Sequence, residues 1–301
     1  MKKILVFYSF KSHKTGYIEM LFERLSRVAA AKDIELVRGS LKDLVIQVKN
    51  GAMTITESLS GEKLENFDAV YFELWYKAQP QALCAARYLA HKNIPFFSQE
   101  LGDLIPMTKV GELAYLAESG VPIPQSFTSS RRQTLQAFKQ SPPIDYPLIV
   151  KAEDGYGGKN NFLIGDYESL SACLQEHPDK TFVIQQFIPN DFDYRCIVLG
   201  GTIRVVLKRQ RSGGGHLNNT SQGAEGTIVP LSDLTNEMQK DVLLAAESMG
   251  RSSFAGVDLL VSNNGQGHFI LEVNQTPQIE IGSHIDVKMN TITDYLKEIA
   301  S

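Results

Sequence analysis

The sequence predicts two architectures in series: a small parallel α/β domain, then a larger α+β part built mainly of antiparallel strands. Three observations predict it. Over the first hundred or so residues, short apolar runs alternate with helical spacing, the pattern of parallel strands joined by crossover helices. After Pro142-Pro143 strands follow one another closely with few helices between them. Near the end two apolar strands flank the turn Ser262-Asn-Asn-Gly-Gln-Gly267, whose residues suit an antiparallel hairpin.

The elements follow in order. Ile4–Tyr8 is a buried strand, and Gly16–Ala31 a helix with Ile18, Leu21, Phe22, Leu25 and Val28 on one face. Ile34–Val37 is a short strand. Leu44–Lys49 and Met53–Ile55 form a hairpin, because Asn50-Gly51 favours a type I′ turn. Ala69–Glu73 and Pro95–Phe97 are strands around a helix at Gln79–His91. Thr108–Ser119 is a helix, with Thr108 as N-cap and Gly120 and Pro122–Pro124 as its stop. Strands are expected at Leu148–Ala152, Asn161–Ile164, Phe182–Phe187, Tyr194–Leu199, Ile203–Leu207, Ala255–Val261 and His268–Asn274. Helices are expected at Tyr167–Gln175, Leu234–Met249 and Val287–Ile299.

At 301 residues the chain exceeds what one core normally organises, so two or three packed domains are expected. A formal charge of −4 gives no overall attraction to nucleic acid or anionic membrane, and neither is expected as a partner. Cys84, Cys173 and Cys196 are odd in number and scattered among apolar residues, which reads as core cysteines in a reducing compartment. The apolar run Ile4–Tyr8 is shorter than the ~7–15 residues of an export signal, and no stretch approaches a membrane span. A cytoplasmic protein is expected.

Four constellations carry chemistry. In the last two strands Asp258 interrupts Ala255–Val261, while Glu272 and Asn274 share one face of His268–Asn274. Asp258 can lie across from them, and two carboxylates with an amide are hard oxygen donors suited to Mg²⁺. Read alone, they also fit the polar face of an amphipathic hairpin, although an unpaired charge in an apolar strand is costly. Second, the strand ending at Lys151 runs into a turn containing Gly155, Gly157 and Gly158, whose backbone amides can approach phosphate oxygens. The spacing is neither that of a P-loop nor G-x-G-x-x-G, and a plain glycine-rich hairpin fits equally. Third, Phe182–Ile188 is an apolar strand stopped by Pro189, with Asp191, Asp193 and Arg195 following; such an edge can hold a purine, and a buried strand entering a loop also accounts for it. Fourth, Arg204, Lys208, Arg209 and Arg211 precede a loop containing His216, Asn218, Asn219 and Gly223. Arginine beside such a loop fits phosphate or carboxylate, and a charged edge strand is the plainer alternative.

The order of these elements resembles the ATP-grasp superfamily, and is most similar to its RimK-like branch of carboxylate–amine ligases. The resemblance covers roughly residues 95–280 and implies an ATP-grasp fold behind an N-terminal pre-ATP-grasp domain. The implied divisions are 1–105, a central subdomain 106–187 with the flap, and a C-terminal subdomain 188–301 with the metal site. It implies that Lys109, ahead of the Leu116–Pro124 pattern, and Lys151 grip the nucleotide phosphates, with Gly157 and Gly158 in the flap. It implies that the Gln186 carbonyl and Ile188 N–H read adenine, and that Asp193, or its neighbour Asp191, lies near the ribose. Arg195, Arg209 and Asn219 match residues beside the phosphates and the reacting acyl group, and Asp258, Glu272 and Asn274 match the metal ligands. ATP with Mg²⁺, or Mn²⁺ in its place, is the implied cofactor set. The sequence departs from the pattern at Gln186, where many relatives carry Glu, and at Gln278, where they carry Gly.

The chemistry so implied is activation of a carboxylate as an acyl phosphate, then attack by an amine of an amino acid, peptide or protein. A peptide-modifying ligase or macrocyclase, a phosphotransferase that stops at the first step, and a non-catalytic ATP-binding regulator are the alternatives. A homo-oligomer would be in keeping with similar proteins. None of the six histidines has a partner at metal-ligand spacing, and His216 is the one worth testing.

Overall fold

The computed structural model describes residues 1–8, 16–31, 33–75, 78–97, 101, 108–154, 160–210, 225–275, 277 and 283–299. Three sheets organise them. The first is parallel: β1 (Lys2–Tyr8), β2 (Ile34–Ser40), β6 (Ala69–Leu74) and β7 (Phe96–Phe97) stand in the order β2-β1-β6-β7. Leu5, Phe7 and Phe72 point inward against Leu83 and Leu89 of helix α2 (Gln79–His91). Helix α1 (Gly16–Ala30) lies on this sheet less fully than its apolar stripe predicts, since Leu25 is 38% and Val28 59% exposed.

The hairpin at Asn50-Gly51 forms as expected, with φ of +50° and +73° at the two turn residues. Its destination was not expected. Strands β3 (Val45–Lys49) and β4 (Ala52–Glu57) leave the parallel sheet and join the central one. Their partner is the three-residue strand β8 (Ser126–Thr128), in the register Val48↔Ser126 and Ile46↔Thr128. With β5 (Glu62–Lys63), β9 (Leu148–Ala152), β10 (Asn161–Ile164) and β11 (Phe182–Gln186) they form a seven-stranded sheet, β10-β9-β11-β8-β3-β4-β5. Helices α4 (Arg131–Gln140) and α5 (Tyr167–Glu176) cover it through Phe138, Leu170 and Leu174.

The third sheet is antiparallel and has five strands: β12 (Phe192–Leu199), β13 (Thr202–Gln210), β14 (Glu225–Val229), β15 (Phe254–Val261) and β16 (His268–Asn274), in the order β14-β13-β12-β15-β16. Helix α6 (Asn236–Ser248) packs Val242, Ala245 and Ala246 against one face. Helix α7 (Ile285–Ile299) packs Ile292 and Tyr295 against Ile197, Leu199, Val205 and Leu207 on the other. Helix α3 (Lys109–Ser119) bridges the sheets; Thr108 Oγ1 caps it by accepting from Gly111 N at 3.1 Å, and Gly120 ends it in the left-handed region. Cys84, Cys173 and Cys196 are buried and free, as expected of core thiols, and burial raises all three, Cys173 to about 11. Among the described residues no helix is long and apolar enough to cross a membrane.

Candidate active site

A cleft opens between α3, the central sheet and β16. Leu113, Leu116, Ile123, Val183 and Ile270 make its walls apolar, and Lys109, Glu112, Lys151, Gln185 and Glu272 bring polar groups to it. An apolar recess with a few convergent charges is what a small-molecule site requires. Lys109 starts α3, and its Nζ donates to the Glu153 carbonyl at 3.3 Å. Lys151 stands on β9 between Asn161 and Val183, and burial lowers its ammonium below the usual lysine value.

The pairing of β15 with β16 puts Asp258 opposite Glu272 and Gly256 opposite Asn274. Directly paired residues point to one face, so the two carboxylates and the amide share a side of the sheet, as their spacing predicts. Between Asp258 and Leu259 the register slips, and Leu271 becomes an extra residue on β16. That bulge breaks the alternation, so the consecutive residues Ile270, Leu271 and Glu272 all reach the cleft.

The same face continues across the sheet as a charge ladder. Arg195 sits opposite Asp258 and binds it with both arms, Nε to Oδ1 and Nη2 to Oδ2, each at 2.8 Å. Arg209 sits opposite Asp193 and grips it at 2.6 and 2.9 Å, while its Nη2 also lies 3.2 Å from Asp258 Oδ2. Burial opposes the charge on Asp258, but Arg195 and Arg209 overcome it and hold the carboxyl down at about 2. Burial pushes Asp193 the other way, to about 6, against the pull of Arg209.

Of the residues chosen from sequence, Lys109, Lys151 and Glu272 line the cleft. Asp258, Arg195 and Arg209 form the ladder, and Asn274 donates from Nδ2 to the Gly256 carbonyl at 3.3 Å. Gln186 ends β11, and the buried Ile188 follows, its carbonyl accepting from Asn190 Nδ2. Asp193 is turned by strand alternation into the ladder, where Arg209 takes both oxygens. Its exposed neighbour Asp191 accepts from Asn263 Nδ2 at 2.9 Å. Gly157, Gly158, Asn219 and His216 lie outside the described residues.

The donor set fits a hard divalent ion. Asp258 Oδ1 accepts one hydrogen bond and so retains a lone pair, and Glu272 faces it across the strand pair. Among the described residues no three His, Cys, Asp or Glu side chains form a cluster able to hold a metal by themselves. One or two carboxylates completed by phosphate oxygens and water is the usual way Mg²⁺ is bound.

Comparison with known proteins settles the family. The model of the RimK-like ATP-grasp domain matches residues 107–299. The chain belongs to the RimK-like ATP-grasp family. It is 28% identical over 225 residues to a probable alpha-L-glutamate ligase of Syntrophotalea carbinolica, covering 73% of this chain and 72% of that one. A probable alpha-L-glutamate ligase of Maridesulfovibrio salexigens is 28% identical over 251 residues, or 80% and 79% of the two chains. In fold the chain is similar to a D-alanine–D-alanine ligase of Bacillus anthracis complexed with ATP, at TM-score 0.51 and 15% identity over 99% and 98% of the two chains. It is similar too to the ATP-grasp ligase PsnB complexed with a minimal precursor, at TM-score 0.50 and 15% identity over the whole of both. As a RimK-like protein the chain binds ATP and is an ADP-forming carboxylate–amine ligase making carbon–nitrogen bonds.

Three residues of this RimK-like site escaped the sequence. Glu112, one helical turn after Lys109, lines the cleft, and its Oε1 accepts from Arg251 Nη1 at 3.0 Å. Arg251 Nη1 also donates to the carbonyl of Val273, the residue between Glu272 and Asn274. Lys288 of α7 is buried over the ladder's face. The one available signal was the turn spacing of Lys109 and Glu112, which puts them on one helix face.

Proposed function

We propose that this ligase activates a carboxylate as an acyl phosphate with Mg-ATP and joins it to the amine of an amino acid, glutamate being the first to try. The observation that carries the reading is that Lys109, Lys151 and Glu272 line one cleft, and that from Glu272 the series Asp258–Arg195–Arg209 continues on a single sheet face. Cations stand where phosphate charge must be neutralised, and hard oxygens stand where a divalent ion must be held.

In this reading adenine enters the apolar end, where the Gln186 carbonyl and Ile188 N–H are its hydrogen-bonding partners. Asp191, exposed beside the hinge, is the better ribose contact. Lys109 and Lys151 hold the phosphates. Asp258, Glu272 and Asn274 would hold Mg²⁺, which when bound supplies charge neutralisation on the phosphate oxygens. The substrate carboxylate oxygen attacks the γ-phosphorus and ADP leaves. The amine nitrogen then attacks the acyl carbon and phosphate leaves, taking the mixed anhydride's bridging oxygen. Arg195 and Arg209 are fixed in direction by their carboxylate partners, so they meet the developing charge without reorganising. Glutamate enters from the names of the two relatives, both probable alpha-L-glutamate ligases.

The test is ADP and phosphate release from Mg-ATP against a panel of amino acids and short peptides, with Glu272→Gln as control. Release that needs a carboxylate together with an amine, and vanishes in the control, supports the reading. Release that ignores the amine would instead mark a phosphotransferase. Nucleotide binding with no release under any pairing would favour the regulatory alternative.

A further inference from the structure

We propose that Arg251 is a positioning residue: by holding the Val273 carbonyl and the Glu112 carboxyl together, it fixes Glu272 against the first turn of α3 and so couples divalent-ion binding to nucleotide binding. The inference rests on the proposed function, which gives Glu272 to the ion and Lys109 to the phosphates.

It begins with a weakness in β16. That strand is the edge of the third sheet, and among the described residues only β15 pairs with it. The bulge at Leu271 interrupts even that ladder, one residue before Glu272. An edge strand also carries outward N–H and C=O groups with no strand to meet. Two bonds on the outer side of β16 make good the loss, and they bracket the bulge. Before it, Ile270 N donates to the Pro122 carbonyl at 2.7 Å, in the segment that follows α3. After it, Arg251 Nη1 donates to the Val273 carbonyl. In a regular strand residues three apart turn their backbone groups to opposite edges, and the bulge lets these two share one. Leu271 and Glu272 lie between the two bonds, so the place of Glu272 in the cleft depends on both.

The guanidinium is firmly based. Gly250, at φ +63°, follows the end of α6 in the left-handed region, and Arg251 N donates back to the Ala246 carbonyl at 2.8 Å. Arg251 itself is 6% exposed. The same Nη1 that binds Val273 lies 3.0 Å from Glu112 Oε1. Glu112 stands one turn after Lys109 on α3, and both line the cleft with Glu272. Arg251 therefore ties the end of α6 to both β16 and α3.

A guanidinium is planar and its donors keep fixed directions. One nitrogen shared between a carbonyl of β16 and a carboxyl of α3 thus sets how far apart those elements stand. Glu272 reaches the cleft from one and Lys109 from the other. An ion held between a carboxylate and phosphate oxygens needs all of them at ~2.0–2.1 Å, so it closes only if that separation is right. Without the bridge β16 and α3 settle apart, and the ion gains less from the nucleotide beside it.

The experiment is calorimetric titration of the full-length protein with ADP, once in Mg²⁺ and once in EDTA. It compares wild type, Arg251→Met and the double variant Arg251→Met/Glu112→Leu, and the ratio of the two affinities is the readout. Wild type is expected to bind ADP more tightly in Mg²⁺. Arg251→Met is expected to lose on the order of tenfold of that gain, with its affinity in EDTA near that of wild type. Arg251→Met also takes this donor from a buried carboxyl and a buried carbonyl, which costs stability. The double variant removes the carboxyl as well, so its thermal midpoint is expected to return towards wild type, and it carries the test should Arg251→Met alone not fold. The Mg²⁺ gain is expected not to return with it. A gain that recovers along with stability overturns the assignment, because that is what a bridge of purely structural worth would give. So does a gain unchanged in Arg251→Met, an equal loss in both buffers, or a wild type whose ADP affinity ignores Mg²⁺. An Arg251-dependent gain in a protein that releases no ADP with any amine leaves the coupling standing while the ligase reading fails.

Discussion

Glu112→Gln tests the electrostatics of the cleft floor most directly. Burial, with the negative charge of Glu272 behind it, pushes the Glu112 carboxyl from its ordinary 4.5 up to about 8, although Arg251 donates to it at 3.0 Å. A carboxyl whose folded value is raised contributes stability that is complete below about 4.5 and lost as pH climbs through about 8. At about 1.36 kcal/mol per pH unit that interval amounts to roughly 4–5 kcal/mol, an upper bound because the Arg251 pair opposes it. Glutamine copies the protonated form. The variant should therefore match wild type at pH 5 and exceed it at pH 8.5, by on the order of 10 °C in thermal midpoint at roughly 2–4 °C per kcal/mol. The assay is thermal unfolding of both proteins across pH 5–9, paired with the KM for ATP. Wild-type KM should climb above pH 8, where an ionised Glu112 faces the incoming phosphates, and the variant's should not. Parallel pH profiles would refute the reasoning. So would a variant less stable at every pH, because that is the signature of an ionised Glu112–Arg251 pair throughout.

Three further perturbations probe separate parts of the chain. Lys151→Met should weaken ATP binding by roughly tenfold or more, the loss of one buried charge-assisted contact; unchanged affinity in a calorimetric titration would remove Lys151 from the phosphate site. Gly256→Ala should destabilise by roughly 1–3 kcal/mol, since the new Cβ would come 2.6 Å from Pro277 Cβ, and denaturant unfolding measures it. Thr108→Ala should lower stability by about 1 kcal/mol through loss of the cap on α3, and should raise the KM for ATP as the turn carrying Lys109 frays.

What could be read from the sequence was mostly local. The alternation of Glu272 with Asn274 and the turn before them were enough to face Asp258 towards both, because a hairpin fixes its own register. Asn50-Gly51 fixed a turn in the same way. The destination of that hairpin was hidden, since β8 is only three residues long and carries no periodicity to read. Helix α4 was hidden because only Thr134 and Phe138 of it are buried, too few to mark a face. The pairing of Arg209 with Asp193 depends on the register of β12 against β13, which joins residues sixteen apart in sequence. Alternation alone did place Asp193 and Arg195 on one face.

The ladder also explains how the carboxylate proposed as a metal ligand, Asp258, can be held ionised inside an apolar strand. An isolated Asp258 on β15 would be neutralised by burial, and a neutral carboxyl binds Mg²⁺ poorly. Arg195 and Arg209 reverse that balance and keep Asp258 ionised with or without an ion beside it. Because Arg195 reaches Asp258 from the neighbouring strand, replacing it would leave a buried Asp258 with Arg209 alone to keep it ionised. Arg251 does the equivalent for the backbone, tying the carbonyl between Glu272 and Asn274 to Glu112, a turn away from Lys109. The start of α3, which carries Lys109, and the strand that carries Glu272 and Asn274 are thus joined by one chain of contacts across the cleft, so their geometry is set together.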